Sequence, residues 1–332
     1  MLLDYERYQV KSKKRKKRKI VLFFFILVLV GGGAYLFISE VILKTSPLEL
    51  LAAPSPIQEL DRLWTRFIEL SPETDTAGQE EKLTILTDLL EKSQALLADT
   101  PLDLRALVYH GYASYYRARF EHSFETRLPY YNQALVSLRR ARIIADPTLE
   151  GQLAYMLGRI YFYKRDYFYD LAERYLEQAI HLGYKGQESY EYLVVINDAW
   201  GNAERSIEYL EKVLKERTDD MYLFRLAGNY WKVGRTEEAV RILEGIINRT
   251  DNENLGRECR FLLGEISFAA GKFSAAEAQY RSILEKDDDS AEAHFRLALI
   301  YEKKGDYVQY RYQLRRTLEN DPGHSGARSR LR

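Results

Sequence analysis

The 332-residue chain carries 49 basic and 49 acidic side chains and a single cysteine. One cysteine forms no intramolecular disulfide, so the chain must be held by packing, and a disulfide-stapled scaffold is excluded. The neutral total hides a division: residues 1–19 hold nine basic and two acidic side chains, leaving 40 basic and 47 acidic for the rest. An acidic body excludes the broad basic footprint of a nucleic-acid binder.

In chain order, the first element is KSKKRKKRK (residues 11–19) followed by Ile20–Ile38, nineteen residues without a charge. As a helix that run spans ~28 Å, against the ~30 Å hydrocarbon core of a bilayer. Lys13, Lys14, Arg15, Lys16, Lys17, Arg18 and Lys19 form a topology signal that keeps the leader cytoplasmic, where it can also touch anionic lipid. Two rivals are a cleaved signal peptide, with Ile20–Val30 as apolar run and Gly31–Ala34 as small residues, and a nuclear address in the basic stretch. Apolar character resumes at Tyr35–Ile38, which favours a permanent anchor. The expectation is a cytoplasmic segment over 1–19 and a transmembrane helix over 20–39. The protein would be single-pass in the inner membrane, with its C-terminal body periplasmic or otherwise extracytoplasmic.

Residues 40–56 follow as a linker, with Pro47, Pro54 and Pro56 blocking a continuous helix. From residue 57 the chain is helical in pattern and rich in tyrosine, 26 in all. Four short turns recur in the C-terminal half, at Gly201, Gly234, Gly271 and Gly305. Seven residues before them stand Val194, Ala227, Gly264 and Ala298, and five after them Ser206, Ala239, Ala276 and Tyr310. A small–turn–small order at a period near 34 predicts stacked helix–turn–helix units.

These residues resemble the tetratricopeptide repeat family. Leu297, Ala298, Tyr301, Gly305, Tyr307 and Pro322 fit its pattern in the last unit, and Leu226, Ala227, Tyr230, Gly234, Ala239 and Leu243 in the unit 220–253. Unit 257–290 fits through Leu263, Gly264, Gly271, Phe273, Ala276 and Tyr280, and unit 187–219 more loosely, with Asn197 in the tyrosine slot. The resemblance implies an all-α solenoid, a right-handed superhelix. Four units occupy 187–324 and divergent, insertion-bearing helical pairs occupy 57–186, for five to seven pairs in total; 325–332 is left as a C-terminal tail. Tyr310 departs from the expected small residue and is placed where stacking stops.

No catalytic pattern is found. His110, His122, His181, His294 and His324 fall in no metal-ligand spacing, and Asp287–Asp289 lacks the glycine and closing glutamate of a calcium loop. No cofactor, metal or nucleic acid is expected. The resemblance implies that first-helix positions 2, 5, 9 and 12 face the concave side. This gives a candidate partner groove of Met221, Phe224, Trp231, Glu258, Phe261, Glu265, Phe268, Glu292, Phe295, Leu299 and Glu302. Aromatics interleaved with carboxylates suit an apolar, basic-tinged segment. Insertions around Tyr130, Tyr131, Phe168 and Tyr169 are further candidate docking points, because exposed tyrosine is a good interface residue.

The function expected is a non-enzymatic, membrane-anchored scaffold that assembles or braces an extracytoplasmic envelope complex. A flagellar-motor collar or a secretion machine is the kind meant, by analogy of architecture. The alternative is a periplasmic chaperone-like module that binds exported polypeptides in the groove. Partners are then other envelope proteins and the membrane itself, and oligomerisation is left open.

Overall fold

A computed structural model describes residues 54–70, 76–184, 186 and 188–331. The expected span over 20–39, its basic leader and most of the linker lie outside the described residues. Among the described residues there is no strand, and no helix is long and apolar enough to cross a membrane. Arg62–Arg332 form one compact unit; before it the structure describes only residues 54–61, which open the first helix.

Fifteen α-helices are described. They run α1 (Pro56–Glu69), α2 (Thr76–Asp99), α3 (Leu104–Ala118), α4 (Phe124–Ile144), α5 (Pro147–Tyr163), α6 (Tyr169–His181), α7 (Ser189–Trp200) and α8 (Ala203–Glu216). They continue with α9 (Asp220–Lys232), α10 (Thr236–Ile247), α11 (Glu253–Ala269), α12 (Phe273–Leu284), α13 (Ala291–Lys304), α14 (Tyr307–Asn320) and α15 (Ser325–Arg330). From α2 onward each helix packs on the next, and first helices of neighbouring pairs also meet, α5 with α7 and α9 with α11. The result is an α-solenoid of successive helical pairs, as the sequence pattern requires.

Local chemistry sets the boundaries. Asp103, Ser123, Asp146, Asn252 and Asp306 each accept a hydrogen bond from a backbone N–H of the helix they open. At the other end Gly305 closes α13 in the left-handed region at φ 75°. The φ values of Gly201, Gly234 and Gly271 are 72°, 82° and 71°. An L side chain there meets the following carbonyl, so Gly305→Ala is expected to lower stability by ~1 kcal/mol in thermal unfolding. Arg165 stands where the α5–α6 turn would carry such a glycine, at φ 74° and ψ −173°, and a one-turn 3₁₀ helix over Asp166–Phe168 follows. Its guanidinium lies 4.4 Å from the Phe124 ring centroid.

Packing explains the small residues. A Cβ at Gly158 would stand 2.7 Å from Leu176 Cγ and 3.1 Å from the Leu176 backbone nitrogen, and one at Gly264 2.6 Å from Tyr280 Cζ. Ala227, Ala239, Ala276 and Ala298 are fully buried. Tyrosine fills the gaps: Tyr115, Tyr131, Tyr161 and Tyr280 are almost wholly buried, and Tyr161 stacks on Tyr175 at 5.7 Å. A continuous core runs from α3 to α11 and is taken up by smaller clusters over α12–α15.

Three expectations are corrected. Tyr131 and Tyr169 do not project: Tyr131 is 1 % exposed, with Tyr115 and Tyr163 beside it, and Tyr169 is buried against Phe162. The residues added between α3 and the small-residue signature lengthen α4 to 21 residues, which turns Tyr131 into the core. Tyr130 lies half-buried under the Arg117 guanidinium and Phe168 half-buried beside Tyr161; Tyr167, 88 % exposed, is the ring that stands out. Finally, residues 325–332 hold a helix, α15, whose Ala327 joins Ala298 and Leu314 with Tyr310 packed against them.

Candidate functional site

Displaced pKa values cluster at active sites, and here burial and neighbouring groups account for those of His110, Glu191 and Cys259. His294 is buried and held on both ring nitrogens, by Gln313 at 2.6 Å and the Asp288 carbonyl at 3.0 Å. His110 bonds Ser137, and burial pushes its pKa down. Burial pushes Glu191 up to about 7, although the Arg217 guanidinium 2.6 Å away opposes the rise. Cys259 is fully buried and burial raises its thiol to about 12, so it is not a reactive thiolate at neutral pH. Asp287 and Asp288 are ion-paired with Arg257 and Arg316. Among the described residues no group of three or more His, Cys, Asp or Glu side chains is placed to hold a metal.

The face made by α9, α11 and α13 holds a cavity of about 290 Å³. Trp231 from α9, Glu265, Phe268 and Ala269 from α11, Tyr280 from α12, and Arg296 and Leu299 from α13 line it. Four residues expected from helix position therefore come together: Trp231, Glu265, Phe268 and Leu299. Burial pushes the Tyr280 phenol up, so it stays a neutral hydrogen-bonding group. Phe268 meets Phe273 edge to face at 5.5 Å, which fixes its ring at the wall.

The other expected residues lie elsewhere. Met221 and Phe224 are half-buried against the main core, and Phe261 packs 6.0 Å from Tyr280. Phe295 is covered by the terminal helix, with the His324 ring at 4.5 Å and Arg330 at 5.5 Å. Glu258 is exposed. Burial, and then the charge of Glu302, push the Tyr310 phenol up. Glu292 lies 2.7 Å from Arg296 and 3.3 Å from His324.

Arg296 changes the electrostatics of the expected groove. It binds Glu265 at 2.8 Å as well as Glu292, so a cation stands at the cavity wall and offsets the carboxylate there. It sits at position 6 of its helix, outside the positions counted from sequence, and Tyr280 lies on a second helix, which that count omits. The cavity is therefore an apolar, aromatic recess with a neutralised ion pair at its edge. It suits a bulky apolar side chain better than a basic one.

Residues 155–221 and 261–325 match the family profile of the tetratricopeptide repeat. No curated protein matches the chain. Among solved structures, the C-terminal part of a TPR repeat-containing protein from Cytophaga hutchinsonii is similar over 83 % of this chain and 99 % of its own, at 17 % identity and TM-score 0.57. A chain of the Naa15/Naa10 complex bound to HypK-THB is similar over 82 % of this chain and 39 % of its own, at 15 % identity and TM-score 0.52. PilW, a type IV pilus biogenesis factor, aligns with 67 % of this chain and 98 % of its own at 16 % identity and TM-score 0.48. At these identities the likeness of the first two shows the fold alone, a solenoid of helical repeats.

Proposed function

We propose that this chain, whose residues 155–221 and 261–325 are tetratricopeptide repeats, is a membrane-anchored scaffold that assembles or braces an envelope protein complex. Its repeat body lies outside the cytoplasm and its Lys13–Lys19 leader inside. The protein-binding part rests on one observation, the aromatic recess on the α9–α11–α13 face. Its volume is near the lower end of the ~300–1,000 Å³ usual for ligand pockets. It therefore holds one or two side chains of a partner and does not enclose a small substrate.

The anchoring part is supported by the uncharged run Ile20–Ile38 behind a polybasic leader. The test is protease accessibility of a C-terminally tagged full chain in sealed vesicles or spheroplasts, with carbonate extraction in parallel. Loss of the tag from the outer side, with the N-terminal fragment kept in the membrane, is expected. A tag protected inside intact cells would overturn the topology and with it the envelope assignment.

A chaperone-like role, with many weak clients in place of one lasting complex, uses the same recess. Phe224 and Trp231 lean on the core, so truncating them would unfold the repeats as well as unbind a partner. Ala269, exposed at the rim, separates the two effects. Ala269→Arg is expected to leave the melting temperature within a degree or two and to weaken peptide capture at the recess. If transient clients are lost while a detergent-stable complex persists, the recess serves clients and the scaffold docks elsewhere.

A further inference from the structure

The same first-helix positions, carried upstream into α3 and α5, place Tyr112 and Tyr115 on one helix and Tyr155 and Arg159 on the next. Arg159 is a cation inside a tyrosine cage. Its guanidinium carbon lies 5.1 Å, 5.3 Å and 5.9 Å from the ring centroids of Tyr115, Tyr155 and Tyr192. Its side chain is only 12 % exposed. Among the described residues its ion-pair partner is Glu188, 3.9 Å from Nη2, well beyond the ~2.7–2.9 Å of a charge-assisted bond. The same Glu188 oxygen is instead bonded by the Tyr192 hydroxyl at 2.6 Å.

Two donors remain unused. Among the described residues, Arg159 Nε and the Tyr115 hydroxyl are buried without a hydrogen-bond partner, and a buried donor left unpaired costs ~1–3 kcal/mol. Next to them Arg119, just past the end of α3, is exposed and feels the like charge of Arg159. It has no ion-pair partner among the described residues. Arg159 thus has one loosely placed carboxylate, and Arg119, near enough to feel its charge, adds a second cation. Beside this pair Trp64 lies 5.5 Å from Tyr112 and 6.0 Å from Tyr116, an aromatic shelf for a neighbouring apolar side chain.

We propose that the α3–α5 face is a second docking site, separate from the α9–α13 recess, which takes an acidic side chain of a partner polypeptide between Arg119 and Arg159. The inference rests on the protein-binding reading only in taking the ligand to be a polypeptide. A planar carboxylate matches the guanidinium fork and approaches it at the 12 % of the Arg159 side chain that is left exposed. Glu188 acts as a weak internal competitor for Arg159. The acidic body does not repel such a ligand decisively, since charges beyond ~8 Å are largely screened at physiological salt. The chain's own basic leader is the wrong sign to occupy the site.

The test uses the full chain in mild detergent against a random linear peptide library. Retained peptides are expected to be enriched in Asp or Glu beside an aromatic or apolar residue. Replacing that Glu by Gln in a synthesised binder should weaken it about tenfold, the loss of one charge-assisted contact. Arg159→Gln and Arg119→Gln should each erase the Glu-over-Gln preference, and Glu188→Gln should enlarge it. Arg119 is exposed, so its variant remains informative even if Arg159→Gln disturbs the cage. Selection without acidic enrichment, or a preference unchanged by both Arg119→Gln and Glu188→Gln, would overturn the proposal. So would complete displacement of every retained peptide by millimolar inorganic phosphate, which would mark a free-anion site. None of these outcomes bears on the orientation of the chain in the membrane, so failure here is distinct from failure of the scaffold reading.

Discussion

Gly158→Ala is expected to lower unfolding free energy by ~1–3 kcal/mol, whereas Gly228→Ala is expected to raise it by ~0.5 kcal/mol. Both glycines lie inside first helices, at adjacent positions of the repeat, so helix propensity predicts the same gain for each. Packing separates them. A Cβ at Gly158 would press on Leu176 at 2.7 Å and on that residue's backbone nitrogen at 3.1 Å, where α5 and α6 pack together. A rotamer change moves the side chain but not the backbone, so the helices must part. At Gly228 the nearest atom to a Cβ is Leu262 Cδ2 at 4.0 Å, an ordinary contact. Urea unfolding of the two variants, with amide exchange in α5–α6 and α9–α10, reads the difference. Equal shifts of the same sign would mean that the close approach of α5 and α6 does not hold the repeat together.

Glu277→Gln is expected to cost ~2 kcal/mol at neutral pH and progressively less as the solution is acidified. Burial alone would raise the Glu277 pKa, but hydrogen bonds from Lys304, Tyr301 and Arg281 outweigh it and hold the carboxyl at about 2. The contacts are 2.5 Å to Lys304, 2.6 Å to the Tyr301 hydroxyl and 2.9 Å to Arg281, and the side chain is 17 % exposed. Two of the three donors lie on α13, so the carboxylate clamps α12 to the next pair. A folded pKa below the unfolded 4.5 means that the charged form stabilises the native state. That contribution is full above about pH 4.5 and disappears as pH falls from there toward about 2. At ~1.4 kcal/mol per unit the shift caps the effect near 3 kcal/mol, and residual exposure reduces it. Parallel denaturation curves for wild type and variant between pH 7 and pH 2.5 should converge at the acid end. A gap that does not narrow would show that the carboxylate acts through shape and not through charge.

The helical repeats were legible because their signals are backbone requirements and steric ones. Gly201, Gly234, Gly271 and Gly305 have positive φ at every place where the period puts a turn, and the small residues before and after them are buried. The same reasoning failed where an insertion extends a helix. Nothing in residues 124–144 separates a projecting loop from a longer helix except Pro129, which α4 accommodates in its second turn. Tyr131 was therefore expected outside and lies inside.

The recess was half legible. Trp231, Glu265, Phe268 and Leu299 follow from helix position, but Tyr280 enters from a second helix, and Arg296 enters from a position the count skips. Their arrival depends on how neighbouring pairs dock, which a single repeat does not encode. Arg159 was within reach of the same count. With Leu157, Gly158 and Tyr161 at the repeat's apolar, small and aromatic positions, it stands at position 9 of the α5–α6 pair, whose turn departs from the glycine pattern.

The central claim is that the chain holds other proteins on the face made by its first helices. A photo-crosslinking residue at Ala269, on the rim of the recess, tests it against the same residue at Glu237, exposed on the second helix α10. The measurement is made on the full chain in intact native membranes. The account predicts one or a few discrete adducts from position 269, and none of comparable yield from position 237. Equal adducts from both positions, or adducts from 237 alone, would contradict it and move the working surface to the second helices.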